Sequence, residues 1–415
     1  MKAVVLSIGS ELTRGRTVDT NAAWLSHELA RWGVEVRWHV TVPDAQDAIC
    51  EAIRTACLQA ELVVMTGGLG PTLDDLTRQA LAATMGVPLE CSAPHVERIR
   101  AFFAQRGRSM PETNTIQACF PAGSEPIDNP CGTAPGIRAV CGAATVFALP
   151  GVPREMREMF TASVAPYVAD RTGGAVLLDT TLHCFGAGES DIAERIADLM
   201  ARDRDPQVGT SAKQGVIHVR IYAGGASADE AQRAVQETAV EVRRRLGRLV
   251  YGCDEETLPS VVGRLLEARG KTTATAESCT GGLVAKLLTD VPGSSAYYLQ
   301  GLITYANDAK TALLDVPVEM IRAHGAVSAP VAEAMAVGCQ RASGADCALS
   351  VTGIAGPGGG SADKPVGLVC IGLADGSRVE VTEHRFGTYL DREDIRHRAA
   401  LTALNLLRLR LLESP

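Results

Sequence analysis

The chain has 415 residues, 46% hydrophobic, 21% charged and only 4% aromatic, with a formal net charge of −8. That length suits two or three domains. The acidic balance, with no basic block, argues against a nucleic-acid surface, and the few aromatics argue against a platform for stacking single strands. No apolar run approaches the ~20 residues that span a bilayer, so a soluble, non-membrane protein is expected. The twelve cysteines are scattered, with no C-x-x-C and no secretory signal, and read as small buried hydrophobes of a reducing cytoplasm.

Ala3 to Ile8 reads as a buried strand ending at Gly9. Asn21 to Trp32 has helical spacing, with Thr20 as N-cap and Gly33 as the stop. Val34 to Val42 alternates as a strand, Asp44 can cap a helix from Ala45 to Ala60, and Leu62 to Thr66 is again a buried strand. This alternation predicts a parallel, doubly wound α/β sheet, whose ligands sit beyond the carboxyl ends of the strands. Two clusters fall there, GSELTRGRTVDTN (Gly9 to Asn21) and TGGLGPTLDD (Thr66 to Asp75). Gly67, Gly68 and Gly70 would let a phosphate approach the backbone, and Asp74 with Asp75 offers hard oxygens to a divalent cation. The same residues equally suit a tight turn and a helix start.

A helix is expected over Ser92 to Arg106, with Ser92 at its cap. Gly107 to Gly136 is long and rich in proline and glycine, either a surface loop or a pocket wall. Thr145 to Leu149 returns as a strand and Pro153 to Val168 as a helix. Arg171-Thr172-Gly173-Gly174 reads as a linker. The pattern β-α-β-β-α-β follows, over Val176 to Phe185, Ser190 to Met200, Val208 to Ser211, Val216 to Tyr222, Ala228 to Leu246 and Leu249 to Tyr251. This small α+β module has a KH-like look without the GXXG clamp or the basic stripe of an RNA binder. It is read as a spacer or dimerisation module, and a homodimer is expected.

Cys253 to Pro259 marks the next boundary. Beyond it lies AESCTGGLVAKLLTDVPGSSAYYLQGLITYANDAK, Ala276 to Lys310, between two runs that suit a covered sheet, Lys271 to Ala276 and Gly301 to Tyr305. The turn Ser278-Cys279-Thr280 feeds a helix, Gly281 to Leu288, whose free N–H groups favour an anion such as a nucleotide phosphate. Ser295, Tyr305 and Lys310 follow. A serine becomes a useful nucleophile when a neighbouring base removes its proton, and a partly desolvated lysine can do so. The plain alternative is a capped turn, a strand tyrosine and a surface lysine. Cys347 to Val351 is a buried strand leading into Thr352-Gly353-Ile354-Ala355-Gly356-Pro357, whose backbone could face a developing oxyanion. Arg392 and Arg396 share one face of the last helix; Arg392 suits a phosphate and Arg396 a structural ion pair.

AESCTGG, GSSAYY, TYANDAK, SVTGIAGPGGG and KPVGLV occur in this order and resemble the nicotinamide mononucleotide (NMN) deamidases. These form the C-terminal domain of the CinA family, competence/damage-inducible protein A, and the resemblance covers about Glu255 to Leu412. It implies hydrolysis of the NMN carboxamide to nicotinate mononucleotide and ammonia, with no cofactor. It also implies Ser295 as nucleophile, Lys310 as its base and Tyr305 as a proton relay or orienting group. Ser278, Glu277, Thr352 and Gly353 would line the pocket, with Arg392 on the phosphate.

TGGLGPTLDDLTR, GSELTRGRTVDTN, NPCGTAPG and LPGVPREM resemble the N-terminal domain of the same family, which is related to the molybdopterin-binding fold. Molybdopterin proteins usually carry an arginine–aspartate pair where this chain has Asp74-Asp75, which favours metal over molybdopterin. The implied activity is a divalent-metal-dependent ADP-ribose pyrophosphatase, favouring cobalt and potassium. Asp75 would hold the metal with Asp74 beside it; Gly67, Gly68, Gly70 and Asn21 would hold the nucleotide, and Glu11 and Asp19 are neighbours by motif.

The resulting expectation is a cytoplasmic bifunctional hydrolase of pyridine-nucleotide turnover, with domains at 1–170, 175–252 and 255–415. The rivals are a non-catalytic partner protein in DNA uptake or repair and a binder of a molybdopterin precursor.

Overall fold

The computed structural model describes residues 1–172, 176–225 and 227–413. The chain divides into two compact units, Met1–Leu178 with Ala223–Ala234, and Asp179–Tyr222 with Val235–Pro415. Gly173 and Gly174 of the expected linker lie outside the described residues, while Arg171 and Thr172 end a helix, Ala165–Thr172.

The first unit carries β1 (Lys2–Ile8), β2 (Glu35–Val42), β3 (Leu62–Thr66), β4 (Leu89–Cys91), β5 (Cys119–Pro121), β6 (Glu125–Ile127), β7 (Gly136–Cys141) and β8 (Ala144–Leu149). Its main sheet runs β2-β1-β3-β8-β7-β6. The first four are parallel, as the alternation predicts. β7 and β6 are antiparallel, so the sheet is mixed at that edge. The period of two along β1 explains the layering. Val4, Leu6 and Ile8 pack with Ile49 and Ile53 of the helix Gln46–Gln59, whereas Ala3 and Val5 pack on the other face with Leu25 and Leu29 of the helix Thr20–Arg31.

Several local expectations are corrected. Asp19, not Thr20, caps the helix Thr20–Arg31, accepting from the Ala22 N–H. Asp44 does not cap the helix Gln46–Gln59; its carboxylate accepts from the Ser10 N–H at 2.7 Å and ties the Gly9 turn to the end of β2. Ser92 is the N-cap residue of the helix Ala93–Ala104 as expected, but its hydroxyl meets His95 Nδ1 instead of the helix backbone. Residues 107–136 are not a structureless loop: they hold a 3-10 helix, Glu112–Ala118, and the strands β5 and β6. There Cys119 stands opposite Cys91 in the β4–β5 ladder, and the two form a disulfide. The reading of all twelve cysteines as thiols fails for this pair because 28 residues separate them and only strand pairing brings them together.

The second unit holds most of the middle module and the C-terminal domain; Val176–Leu178 and Ala223–Ala234 of that module fall in the first. β9 (Val176–Cys184), β10 (Gln207–Lys213), β11 (Val216–Gly225) and β12 (Val250–Cys253) form a sheet in the order β10-β11-β9-β12. With helices Glu189–Arg195 and Ala228–Leu246 this is the expected β-α-β-β-α-β order.

β13 (Thr273–Glu277), β14 (Tyr298–Ile303), β15 (Cys347–Gly353), β16 (Leu368–Asp375) and β17 (Arg378–Arg385) form the C-terminal sheet, ordered β14-β13-β15-β16-β17. β14, β13 and β15 are parallel, and the last two strands are antiparallel additions. β14 is an edge strand with Leu299 and Ile303 about half exposed, not a covered one. β13 and β15 end side by side, so the turns after Glu277, after Ile303 and after Gly353 open at one edge of the sheet. Among the described residues no helix is long and apolar enough to cross a membrane.

Candidate active site

Burial and hydrogen bonding converge on Lys310. It lies in the first turns of the helix Asn307–Leu314, yet its side chain is only 1% exposed. Its Nζ donates to the Thr304 carbonyl at 2.8 Å and to the Tyr305 carbonyl at 3.5 Å, and it lies 3.1 Å from Ser278 Oγ. Burial lowers the pKa of this amine below the ordinary lysine value, with the neighbouring Cys279 opposing the shift. A neutral amine has two N–H groups and one lone pair. Two carbonyls can take only the N–H groups, which leaves the lone pair for the serine hydroxyl.

Ser278 follows β13 directly, with its N–H on the Val351 carbonyl. The adjacent Cys279 is no competitor as a nucleophile, because burial pushes its thiol up to about 12. Its sulfur packs where Gly353 lacks a side chain: a Cβ there would stand 3.1 Å from Cys279 Sγ and 2.7 Å from Val369 Cγ2. Arg396 braces the turn from behind, donating to the Cys279 carbonyl at 3.2 Å and the Thr280 carbonyl at 2.7 Å. Sequence reasoning assigned Arg396 only a salt bridge. Its actual partners are backbone carbonyls, for which no side-chain pattern exists.

Ser295 is not brought to Lys310. It sits exposed in the 3-10 turn Ser294–Ala296, before β14, whereas Lys310 comes after the strand's other end. At ~3.3 Å per residue, a strand of this length separates its ends by about 20 Å. The hydroxyl paired with Lys310 is that of Ser278.

Glu277, expected on the substrate, is 1% exposed and fully engaged. It accepts from the N–H groups of Gly282 (2.9 Å), Val284 (3.1 Å) and Ala285 (2.8 Å). The helix start expected to bind a nucleotide phosphate already holds this internal carboxylate, which satisfies the orphan donors of the helix Leu283–Thr289. Thr352, also 1% exposed, donates to the Ala326 carbonyl and anchors that turn. Arg392 donates to the Tyr305 hydroxyl at 2.9 Å and to the Gly356 carbonyl at 2.7 Å. It therefore links the turn after β14 to the turn after β15, and the Tyr305 ring faces Arg392 while its backbone carbonyl holds Lys310.

In the first unit a cavity of about 450 Å³ is lined by Gly67, Gly68, Gly70, Asp74, Asp75 and their neighbours. Gly67 has φ +103°, and a Cβ there would stand 2.2 Å from the Ile8 carbonyl oxygen, so only glycine fits. Asn21 lies beside an adjoining cavity and donates to Thr66 Oγ1 and the Gly151 carbonyl, stitching helix to loop. Asp75 is committed: Oδ1 accepts from Gly70 N at 2.7 Å, and Oδ2 accepts from Thr72 N at 2.8 Å and from the Thr72 hydroxyl. Arg78, fully buried below the loop, donates to the Leu69 and Gly70 carbonyls; no sequence pattern singles it out beyond its place in DLTR. Asp74 is exposed. Among the described residues no group of three or more His, Cys, Asp or Glu side chains is arranged to hold a metal ion, so the residues present do not fit a resident cation.

Fold and site thus define a chain of α/β domains in which one domain carries a buried lysine against a serine and another carries a glycine-lined cavity. Residues 255–411 match the family described as "CinA C-terminal domain", residues 4–170 the "Probable molybdopterin binding domain", and residues 179–252 the "Damage-inducible protein CinA KH domain". A "Putative competence-damage inducible protein" of Symbiobacterium thermophilum is 46% identical over 99% of each chain. A "CinA-like protein" of Geobacter sulfurreducens is 43% identical over 99% of this chain and 100% of its own. A crystal structure of competence/damage inducible protein CihA from Agrobacterium tumefaciens is 44% identical, covers 38% of this chain and 94% of that one, and has a TM-score of 0.37. The chain belongs to the CinA family.

Proposed function

We propose that the C-terminal domain is a serine–lysine amidohydrolase acting on NMN, with Ser278 and not Ser295 as its nucleophile. The observation that carries this is the desolvated Lys310 amine 3.1 Å from Ser278 Oγ. Ser278 Oγ attacks the carboxamide carbon as its proton passes to Lys310 Nζ. Lys310 returns that proton to the departing nitrogen, and ammonia leaves. Lys310 then takes a proton from water as its oxygen attacks the acyl–serine ester, and passes that proton to the departing Ser278 Oγ as nicotinate mononucleotide is freed. No cofactor takes part in these steps. A substrate phosphate would take over a fork of Arg392 now spent on Tyr305 and Gly356.

For the N-terminal domain the supported reading is binding and hydrolysis of the diphosphate of ADP-ribose, because the Gly67–Gly70 loop presents close-approach backbone to its cavity. A divalent ion such as cobalt, with potassium, belongs to that proposal, but no step is assigned to it. A cytoplasmic homodimer with the middle module as spacer or dimerisation element completes the proposal. The relatives' competence and damage names favour the rival, a non-catalytic partner role.

The test is ammonia release from NMN by metal-stripped full-length protein beside Ser278→Ala and Ser295→Ala. Release by wild type and Ser295→Ala, and none by Ser278→Ala, supports the reading. Loss in Ser295→Ala alone restores the sequence-based nucleophile, and no release from wild type brings the partner role forward.

A further inference from the structure

The cavity of the first unit has a carboxylate where the family resemblance puts a metal ligand, but the geometry gives that carboxylate another task. We infer that Asp75 shapes the diphosphate cradle as a positioning residue, and that a divalent cation enters the site as its complex with the diphosphate. This rests on the proposed diphosphate reading of the cavity and deepens it.

The Asp75 carboxylate already receives three donors. Gly70 N, Thr72 N and the Thr72 hydroxyl all point at it, so the loop is wound around this side chain. The winding is tight, because a Cβ on Gly70 would stand 2.3 Å from Asp75 Oδ2. These are charge-assisted bonds, and giving up donors to a metal would unwind the loop that faces the ligand.

The loop is held from below as well. Arg78 is 0% exposed and grips the Leu69 and Gly70 carbonyls from beneath the same turn. Removal of the Asp75 carboxylate should leave two loop N–H groups unmatched.

Of the other carboxylates lining the cavity, Asp44 and Glu155 are partly engaged, while Glu11 is exposed. Asp44 Oδ2 takes the Ser10 N–H, and Glu155 Oε2 takes the Asn129 amide. Asp74 is exposed and stands beside the loop. Small divalent cations are commonly held by one or two carboxylates together with substrate phosphate oxygens. The diphosphate would supply the oxygens that the protein does not assemble.

The experiment uses the full chain, Mn²⁺ followed by electron paramagnetic resonance, and α,β-methylene-ADP as a diphosphate that cannot be cleaved. Wild type should leave Mn²⁺ free until the nucleotide is added, and then take up one ion. Asp75→Asn should weaken metal-free nucleotide binding about tenfold, as expected for losing a charge-assisted acceptor. The nucleotide-loaded variant should keep its Mn²⁺ affinity within about twofold. Thr72→Val retains the Asp75 carboxylate and removes one of its donors, so it serves where Asp75→Asn does not fold. It should weaken metal-free nucleotide binding a few-fold without weakening Mn²⁺ binding in the loaded protein.

Tight Mn²⁺ uptake by the nucleotide-free wild type, lost in Asp75→Asn with metal-free nucleotide affinity unchanged, overturns the inference. So does a Thr72→Val protein with unaltered metal-free nucleotide affinity. If α,β-methylene-ADP binds with Mn²⁺ neither present nor absent, the diphosphate reading itself falls, and the inference goes with it.

Discussion

The serine–lysine corner of the second unit and the glycine-loop cavity of the first are both built at the carboxyl ends of the parallel strands of a mixed sheet, but they are prepared to different degrees. In the second unit the reacting groups already touch: the Lys310 amine is desolvated, aimed by two carbonyls and set against Ser278 Oγ. In the first unit the structure has built a cradle whose carboxylate and guanidinium are spent on holding the loop. Burial can create a base by itself, since it raises the cost of a lone ammonium.

The largest effect should come from breaking the prepared pair. Ser278→Ala or Lys310→Met should lower kcat/KM for ammonia release from NMN by about 10⁴-fold or more, the scale seen when a covalent-catalysis unit loses a member. Ser295→Ala should stay within about twofold. A steady-state comparison of the three variants, with melting curves to show folding, checks this.

Next is the brace behind the nucleophile. Arg396→Met removes both donors to the Cys279 and Thr280 carbonyls and should cost about 10²-fold, mainly in kcat, because small displacements of a reacting group have that scale. An unchanged kcat with a raised KM would instead put Arg396 on the substrate.

Glu277→Gln tests whether an internal carboxylate has taken the helix start. Losing the charge that receives three N–H donors should destabilise the second unit by about 2 kcal/mol. Denaturant unfolding reads this directly, and a neutral result would leave that helix start free for a ligand.

The pH response separates the two regions more gently. Lys310 must be unprotonated to accept a proton, so kcat/KM for NMN should rise with pH through a value below the 10.5 of an ordinary lysine. The sign for stability is the same: the unfolded chain holds that proton more tightly, so this group's contribution to stability rises with pH between its folded and unfolded values. Lys310→Met should abolish the stability component. Chelation should have the smallest effect on ammonia release, leaving it unchanged, while it stops AMP formation from ADP-ribose.

Much of the architecture is legible in local patterns. Alternation places Val4 and Leu6 on one face of β1 and Ala3 and Val5 on the other, and the glycines at 67 and 68 mark a turn that side chains would obstruct. The stretch from Ala276 to Lys310 also stands out by its residue types alone, and it contains Lys310, whose amine the fold buries. Choosing its partner is another matter. Ser278 and Ser295 are both serines in glycine-rich turns flanking strand signals, and nearness along the chain favours Ser295 for Lys310.

Composition and periodicity therefore determine which segments become strands and helices, and which residue types collect at the sheet's edge. Parallel pairing of β13 with β14 decides the rest: it puts the end of β13 beside the end of β14 and leaves the start of β14 a full strand length away. The same holds for Asp75 and Glu277, whose carboxylates look free in the sequence because their donors are backbone N–H groups. Every residue except proline carries such a donor, so only the folded path of the chain determines where it points.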